Sequence, residues 1–306
     1  MDKILNKTYE EGKLHVHEGE LPTYQPQLAK ANIENVGIYL IDKDKNHFKV
    51  GDVETKFTAQ SIIKVLLYQI ALENYSLEEL NKYVGVKGSS KAYNSIADLE
   101  LSEGKKPVNP FINSGALVVT YLLIKKFKDD AFNVVLEKAK SLINRDDLNY
   151  DQEFIDTGKP VAFRNLAIIN TLKSNNTIEN DVSTEEILDL YFKACCLLVN
   201  AKDLASYSFV LSNNGQNSKG QCIIEKNHVK IIKAVMATAG MYDYSGDFAV
   251  RVGLPAKSGV GGGILTATNQ NIGLATYSPG LDSQGNSLVG IKILEILSKE
   301  LNLSIY

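Results

Sequence analysis

The sequence predicts a mixed α+β fold of the α/β class: one antiparallel sheet drawn from both chain ends, flanked by helices, with an all-helical subdomain inserted between. Three observations predict it. Strand-like segments appear early and return only late. The long stretch between them carries helical spacing throughout. A helical segment closes the chain.

The elements follow in order. Residues 35–42 (NVGIYLID) and 47–52 (HFKVGD) read as strands, and the polar break at 43–46 makes them a hairpin. Residues 61–75 (SIIKVLLYQIALENY) are apolar on most sides for over three turns, too long for a strand, so they form a buried helix. Helices are expected at 116–127, 131–143, 164–174, 184–199, 202–212 and 229–239. Ser183 and Glu186 have capping-box spacing, and Gly215 and Gly240 serve as stops. Strands are expected at 248–255, 262–269 and 271–279, and a final helix at 287–301. The sheet part is then about 1–75 with 240–306, and the helical part about 76–239. A cleft between the two is the natural place for a site.

Composition narrows the function. The 306 residues include 33 Lys and Arg against 36 Asp and Glu, a net charge of −3, which argues against a nucleic-acid surface. Hydrophobic residues at 44% and charged residues at 23% fit a packed core and exclude a disordered chain. Cys195, Cys196 and Cys222 show neither a disulfide framework nor zinc spacing. The first twenty residues carry no apolar export segment, and residues 115–124 are far short of the ~20 a membrane helix requires. A soluble cytoplasmic protein without a membrane partner is expected.

Four groups of residues can carry chemistry. Ser61 and Lys64 stand one helical turn apart among Ile62, Ile63, Val65 and Leu66. Burial lowers the pKa of a lysine there, and a neutral amine can take a serine proton. Next, Lys257 and Ser258 precede the glycine run 259–263 and a strand; bare backbone there offers N–H donors to an oxyanion. The run does not match phosphate-loop spacing. Third, Tyr242 follows a helix stop, and nearby lysines would stabilise its phenolate for proton transfer. Fourth, Asn113, Glu153, Asn165 and Tyr191 are polar residues in apolar settings. An amino-acid substrate would satisfy them: its ammonium wants a carboxylate, its carboxylate wants donors. Helix caps and core packing are the structural alternatives for these last residues.

In order along the chain, YQPQLA (24–29), FTAQSIIK (57–64), YNS (93–95), KPVNPFINSGA (106–116), RNLAI (164–168), LYFKACCLLV (190–199), AGMYDYSGDFA (239–249) and LPAKSGVGGGI (254–264) resemble the bacterial and mitochondrial glutaminase family. That family shares the serine β-lactamase/transpeptidase-like fold. The resemblance implies hydrolysis of L-glutamine to L-glutamate and ammonia without a metal or organic cofactor, by a homodimer or homotetramer. It makes Ser61 the nucleophile, Lys64 its activating partner and Tyr242 a proton donor to the leaving ammonia. The N–H groups of Ser61 and Val260 would hold the oxyanion. Asn113, Glu153, Asn165, Tyr191, Tyr242 and Val260 would bind substrate, with Tyr24 lining the pocket.

The chain also departs from the family pattern. Gln25 stands where isoleucine is usual, Ser114 where alanine is usual, and Tyr93 where phenylalanine is usual. The family keeps its glutamate closer to the Arg-Asn pair than Glu153 stands to Arg164 and Asn165. An insertion is therefore expected, with Glu153 as the substrate carboxylate and Asp156 as its alternative. Two other readings compete. One is a β-lactamase or penicillin-binding hydrolase using the same Ser-Lys pair. The other is a glutamine-binding sensor that has lost turnover.

Overall fold

A computed structural model describes all of residues 1–306. The helices are α1 (Asp2–Lys13), α2 (Pro26–Ala29), α3 (Ile63–Asn74), α4 (Leu77–Tyr83), α5 (Ile96–Leu101), α6 (Asn113–Phe127) and α7 (Ala131–Ile143), then α8 (Gln152–Gly158), α9 (Phe163–Ser174), α10 (Thr184–Cys195), α11 (Ala201–Ser212), α12 (Lys226–Ala239), α13 (Ser245–Arg251) and α14 (Leu288–Glu300). The strands are β1 (Gly37–Ile41), β2 (His47–Gly51), β3 (Phe57–Thr58), β4 (Leu198–Val199), β5 (Ala256–Ser258), β6 (Gly263–Thr266) and β7 (Gly273–Tyr277).

Five strands form one antiparallel sheet in the order β2-β1-β7-β6-β5, so both chain ends meet at the β1–β7 pairing. Every residue of β1 is buried. That pattern arises because both faces of the sheet are covered. Ile38 and Leu40 face a core shared with α1 and α14, through Leu5, Ile293, Leu294 and Leu297. Tyr39 and Ile41 face the opposite core, which continues through α11 into the helical layer. Antiparallel strands more often leave one face wet; here the hydrophobic run without alternation reports a sheet in the middle of three layers.

Helix α3 leaves the sheet edge and packs against α6, α7 and α12. Ten consecutive residues, Ile63 to Leu72, are buried, so no side of the helix meets solvent over that length. Each large apolar side chain buried there contributes about 1.5–3 kcal/mol, which fixes the helix and whatever it carries. Ser183 and Glu186 form the expected capping box at the start of α10, and Gly240 is the C-cap of α12.

Two expectations change. Residues 248–255 do not form a strand: α13 covers the first part, and only Ala256–Ser258 is extended. Phe248 and Val252 are buried while Val250 is 89% exposed, a spacing of four that suits a helix rather than a strand. The segment 184–199 divides, because α10 ends at Cys195 and Leu198–Val199 pairs with Phe57–Thr58. No helix is long and apolar enough to cross a membrane.

Candidate active site

Ser61 occupies a single 3-10 turn, Gln60–Ile62, that runs directly into α3. The short β3–β4 ladder anchors this turn from one side, continued by the Ala59 N–H donating to the Leu197 carbonyl at 2.8 Å. The β5–β6 turn packs from the other side. A Cβ at Gly259 would lie 2.8 Å from the Ala59 carbonyl, and one at Gly261 would lie 2.3 Å from the Thr58 carbonyl. The glycine run therefore lets one backbone lie against another, and it brings Val260 to the cavity that Ser61 lines.

That cavity, about 240 Å³, lies between the sheet edge and the helical layer. Ser61, Gln60 and Val260 line it from the sheet side; Tyr24, Tyr93, Asn113, Phe154, Gly158, Arg164, Asn165, Tyr191 and Cys195 supply much of the rest. The N–H groups of Ser61 and Val260 donate to no acceptor within the chain. Backbone donors beside a nucleophile and without an internal partner are what an oxyanion requires.

Lys64 is the second residue of α3, one helical turn beyond Ser61, and is 1% exposed. Its amine donates to the Phe111 carbonyl at 3.1 Å and to Asn113 Oδ1 at 2.7 Å. Asn109 holds the Phe111 carbonyl in place, since its Oδ1 accepts from the Phe111 and Ile112 N–H groups at 2.9 and 3.1 Å. Burial pulls the Lys64 pKa down to about 8, with the nearby Cys195 thiol acting in the opposite direction. Lys257 is fully buried on β5, and burial first, then the Lys64 charge, drives its pKa well below the ordinary lysine value. Two buried lysines that do not hold their protons tightly thus stand near the site, Lys64 one helical turn from Ser61 and Lys257 on the Ser258 carbonyl.

Tyr242 sits between them. Its ring lies 4.2 Å from the Lys257 amine and 4.8 Å from the Tyr93 ring, and its hydroxyl donates to the Ser258 carbonyl at 3.2 Å. Burial raises the Tyr242 pKa, and the Ser61 hydroxyl beside it only partly offsets that. Burial therefore works against the stabilised phenolate expected from the sequence, and Tyr242 keeps its hydroxyl proton, donated to the Ser258 carbonyl. Gln60 (φ 48°) and Tyr242 (φ 57°) both adopt left-handed backbone, a strain concentrated at the residues that aim Ser61 and its partner.

The glutaminase family model matches residues 19–306. The chain belongs to the glutaminase family. It is 40% identical to Glutaminase 2 of Clostridium perfringens over 307 residues, covering all of both chains. It superposes on a probable glutaminase of Bacillus subtilis with TM-score 0.91 at 29% identity, covering 100% of this chain and 97% of that one. A structure of the Bacillus subtilis protein complexed with 6-diazo-5-oxo-L-norleucine gives TM-score 0.89 with the same identity and coverage. These neighbours place the chain in the serine β-lactamase-like fold, as a glutamine amidohydrolase.

In this glutaminase the structure brings Ser61, Asn113, Asn165, Tyr191, Val260 and Tyr24 to one cavity, with Lys64 and Tyr242 packed behind its wall. Asn113 Nδ2 donates to Asn165 Oδ1 at 3.0 Å, and the Tyr191 hydroxyl adjoins the Cys195 thiol. Tyr24 stands at the mouth, 63% exposed, facing the Tyr93 hydroxyl. The Ser61–Lys64 hydrogen bond expected from helical spacing is replaced: Lys64 turns to Phe111 and Asn113, and Ser61 faces Tyr242.

Glu153 is not brought to the cavity. It is 66% exposed and pairs with Lys30 at 2.9 Å. Asp156 is exposed as well and accepts from Gln152 Nε2 at 2.7 Å. The cause is the rotation of α8, whose buried residues Phe154 and Ile155 pack with Leu28 and Cys196 and turn both carboxylates outward. Sequence reasoning missed Gln25, Gly158, Arg164 and Cys195, which line the cavity, and Asn109 and Phe111, which seat Lys64. Asn109 carried a local signal, as an amide inside the apolar-rich stretch VNPFI, and Gln25 stood out only as a departure from the family pattern.

Proposed function

We propose that this glutaminase hydrolyses the side-chain amide of L-glutamine through a Ser61 ester, and that Lys64 and Tyr242 manage the protons. The Ser61 oxygen attacks the amide carbon while the Lys64 amine accepts the hydroxyl proton. The resulting oxyanion is held by the Ser61 and Val260 N–H groups. Tyr242 passes a proton to the departing nitrogen, the C–N bond breaks and ammonia leaves. The Lys64 ammonium returns its proton to Tyr242; water then attacks the ester, one of its protons passes by way of Lys64 to the departing Ser61 oxygen, and the product acid ionises to the carboxylate. Asn113, Asn165 and Tyr191 face the remainder of the substrate, with Tyr24 at the entrance.

One observation carries the reading. A serine with two unused N–H donors beside it lines the cavity, and a lysine whose pKa is about 8 is buried behind that wall one helical turn away. Such an amine is available as a base near neutral pH, where an ordinary lysine is not. The free thiols of Cys195, Cys196 and Cys222 support a cytoplasmic setting.

The test measures ammonia release from L-glutamine, with a chromogenic β-lactam as control and hydroxylamine present to trap an ester. Ammonia release and a hydroxamate product are expected, with both lost in Ser61→Ala. Cleavage of the β-lactam instead would favour the penicillin-binding type of hydrolase. Glutamine binding by calorimetry without ammonia release would favour the sensor.

A further inference from the structure

The cavity that holds Ser61 contains no carboxylate. Its only formally charged lining residue is Arg164, whose Nε donates to the Asn94 carbonyl at 2.8 Å, and Lys64 lies behind the wall next to Asn113. The acidic residues nearby are all engaged elsewhere. Asp151 caps α8 by accepting from the Phe154 N–H at 2.9 Å, and Glu153 and Asp156 face outward as described. Glu185 and Asp189 both pair with Lys159.

The wall facing Ser61 from the helical side includes Gly158, the last residue of α8, which is buried and has ordinary helical backbone (φ −86°, ψ −38°). Nothing in the backbone demands glycine there. A Cβ at this position would lie 2.5 Å from Gln25 Nε2 and 3.2 Å from Phe192 Cε1, so the Gln25 amide occupies the volume a side chain at 158 would claim. A neutral amide over a bare glycine thus forms this part of the pocket. An α-ammonium brought here would lose water without gaining an opposite charge, which is costly. A carboxylate would find Arg164 at the rim, and an acylated nitrogen would find an amide able both to donate and to accept.

We propose that this enzyme does not select for a free α-amino group. It accepts anionic ω-amides whose α-nitrogen is acylated or absent as readily as glutamine, because the Gln25–Gly158 pair makes that end of the cavity neutral. The proposal rests on the amidohydrolase reading above and adds the substrate class. Gln25 and Gly158 are specificity-determining positions, distant in sequence but in contact in the fold.

The experiment compares kcat/KM for L-glutamine, N-acetyl-L-glutamine and glutaramate with the full chain, measured as ammonia release. Glutaramate lacks the α-nitrogen altogether, so it separates charge from bulk. Both alternatives are expected within about tenfold of glutamine or above it, whereas a site with a dedicated ammonium partner would favour glutamine by about a hundredfold or more. That larger preference over glutaramate would overturn the proposal. Gly158→Glu and Gly158→Gln differ in charge alone. The Glu variant should shift the glutamine-to-glutaramate ratio toward glutamine by about tenfold relative to the Gln variant, mainly through KM. An unchanged ratio would overturn the proposal too. The wild-type comparison stands even if neither variant folds. Absence of ammonia from all three amides, with the protein folded, would instead refute the amidohydrolase reading on which the proposal rests.

Discussion

The inner end of the cavity is floored by residues nearly sealed from solvent, and the outer end is walled mostly by residues that are half-buried or exposed, with Phe154 and Gly158 buried among them. Ser61, Lys64, Tyr242 and Lys257 are all buried, and each is held by a long helix, a strand or a strained turn packed on both sides. Tyr24, Gln25, α8 and the turn that leads from α8 into α9 belong to short elements, and Tyr24, Val161 and Phe163 are largely exposed. The contrast assigns different jobs. Chemistry needs groups whose pKa values are set by burial and whose positions do not drift. Recognition needs only a shape and a charge balance, which a glycine and a glutamine can redefine without disturbing the floor. Changes at the inner end should therefore alter kcat by large factors, while changes at the outer end should alter which amide is preferred.

The sharpest way to break this contrast is at its centre. Ser61→Ala removes one hydroxyl from a turn whose backbone contacts all remain, so thermal unfolding should be unchanged. Ammonia release should fall by at least about 10⁴-fold, the scale of losing a covalent nucleophile. Residual turnover near wild type in the folded variant would show that another group attacks. Tyr242→Phe is the next step down. It keeps the ring between Tyr93 and Lys257 but removes the proton donor. A loss of about 10²–10³-fold in kcat is expected with KM little changed, in line with removal of a general acid. A change confined to KM would move Tyr242 from proton transfer to binding.

A smaller and continuous effect comes from Lys64. Its pKa is lowered to about 8, so below that pH the amine is protonated and cannot take the Ser61 proton. Activity should rise with pH and level off above about 8, falling roughly tenfold for each pH unit below it. The check is a kcat/KM profile from pH 6 to 9; a flat profile would mean that Lys64 is not the group that limits the reaction.

Legibility in the sequence followed the same division. Ser61 and Lys64 could be read because their relation is local: three residues apart on a helix too apolar to be anything but buried. The glycine run and the β1–β2 hairpin were legible for the same reason, since spacing alone fixes what the backbone does there. Residues 248–255 misled because Phe248, Val250 and Val252 also fit strand alternation until burial shows Val250 in solvent. The outer wall was legible only at Tyr24, and there through the family resemblance rather than through any local spacing. Gln25 and Gly158 meet only after the chain has folded, and neither residue type advertises a site. Helix α8 is seven residues long, too short to display a period, so the sequence held no cue to which of its faces would turn inward.

Glu153→Gln is the mildest of these changes and the one that separates sequence expectation from structure most directly. As a carboxylate facing a substrate ammonium, Glu153 would be costly to neutralise, and KM for glutamine would climb. In the fold it lies outside the cavity, 66% exposed, paired with Lys30, itself 64% exposed. Ion pairs of that kind are screened by solvent and contribute little. The substitution should therefore leave kcat, KM and the glutamine-to-glutaramate ratio within about twofold of wild type. A rise in KM confined to glutamine, with glutaramate unaffected, would mean that α8 turns its outer face inward when substrate binds. In that case the outer end of the cavity would be a moving wall that supplies a carboxylate, and Gly158 would be its pivot.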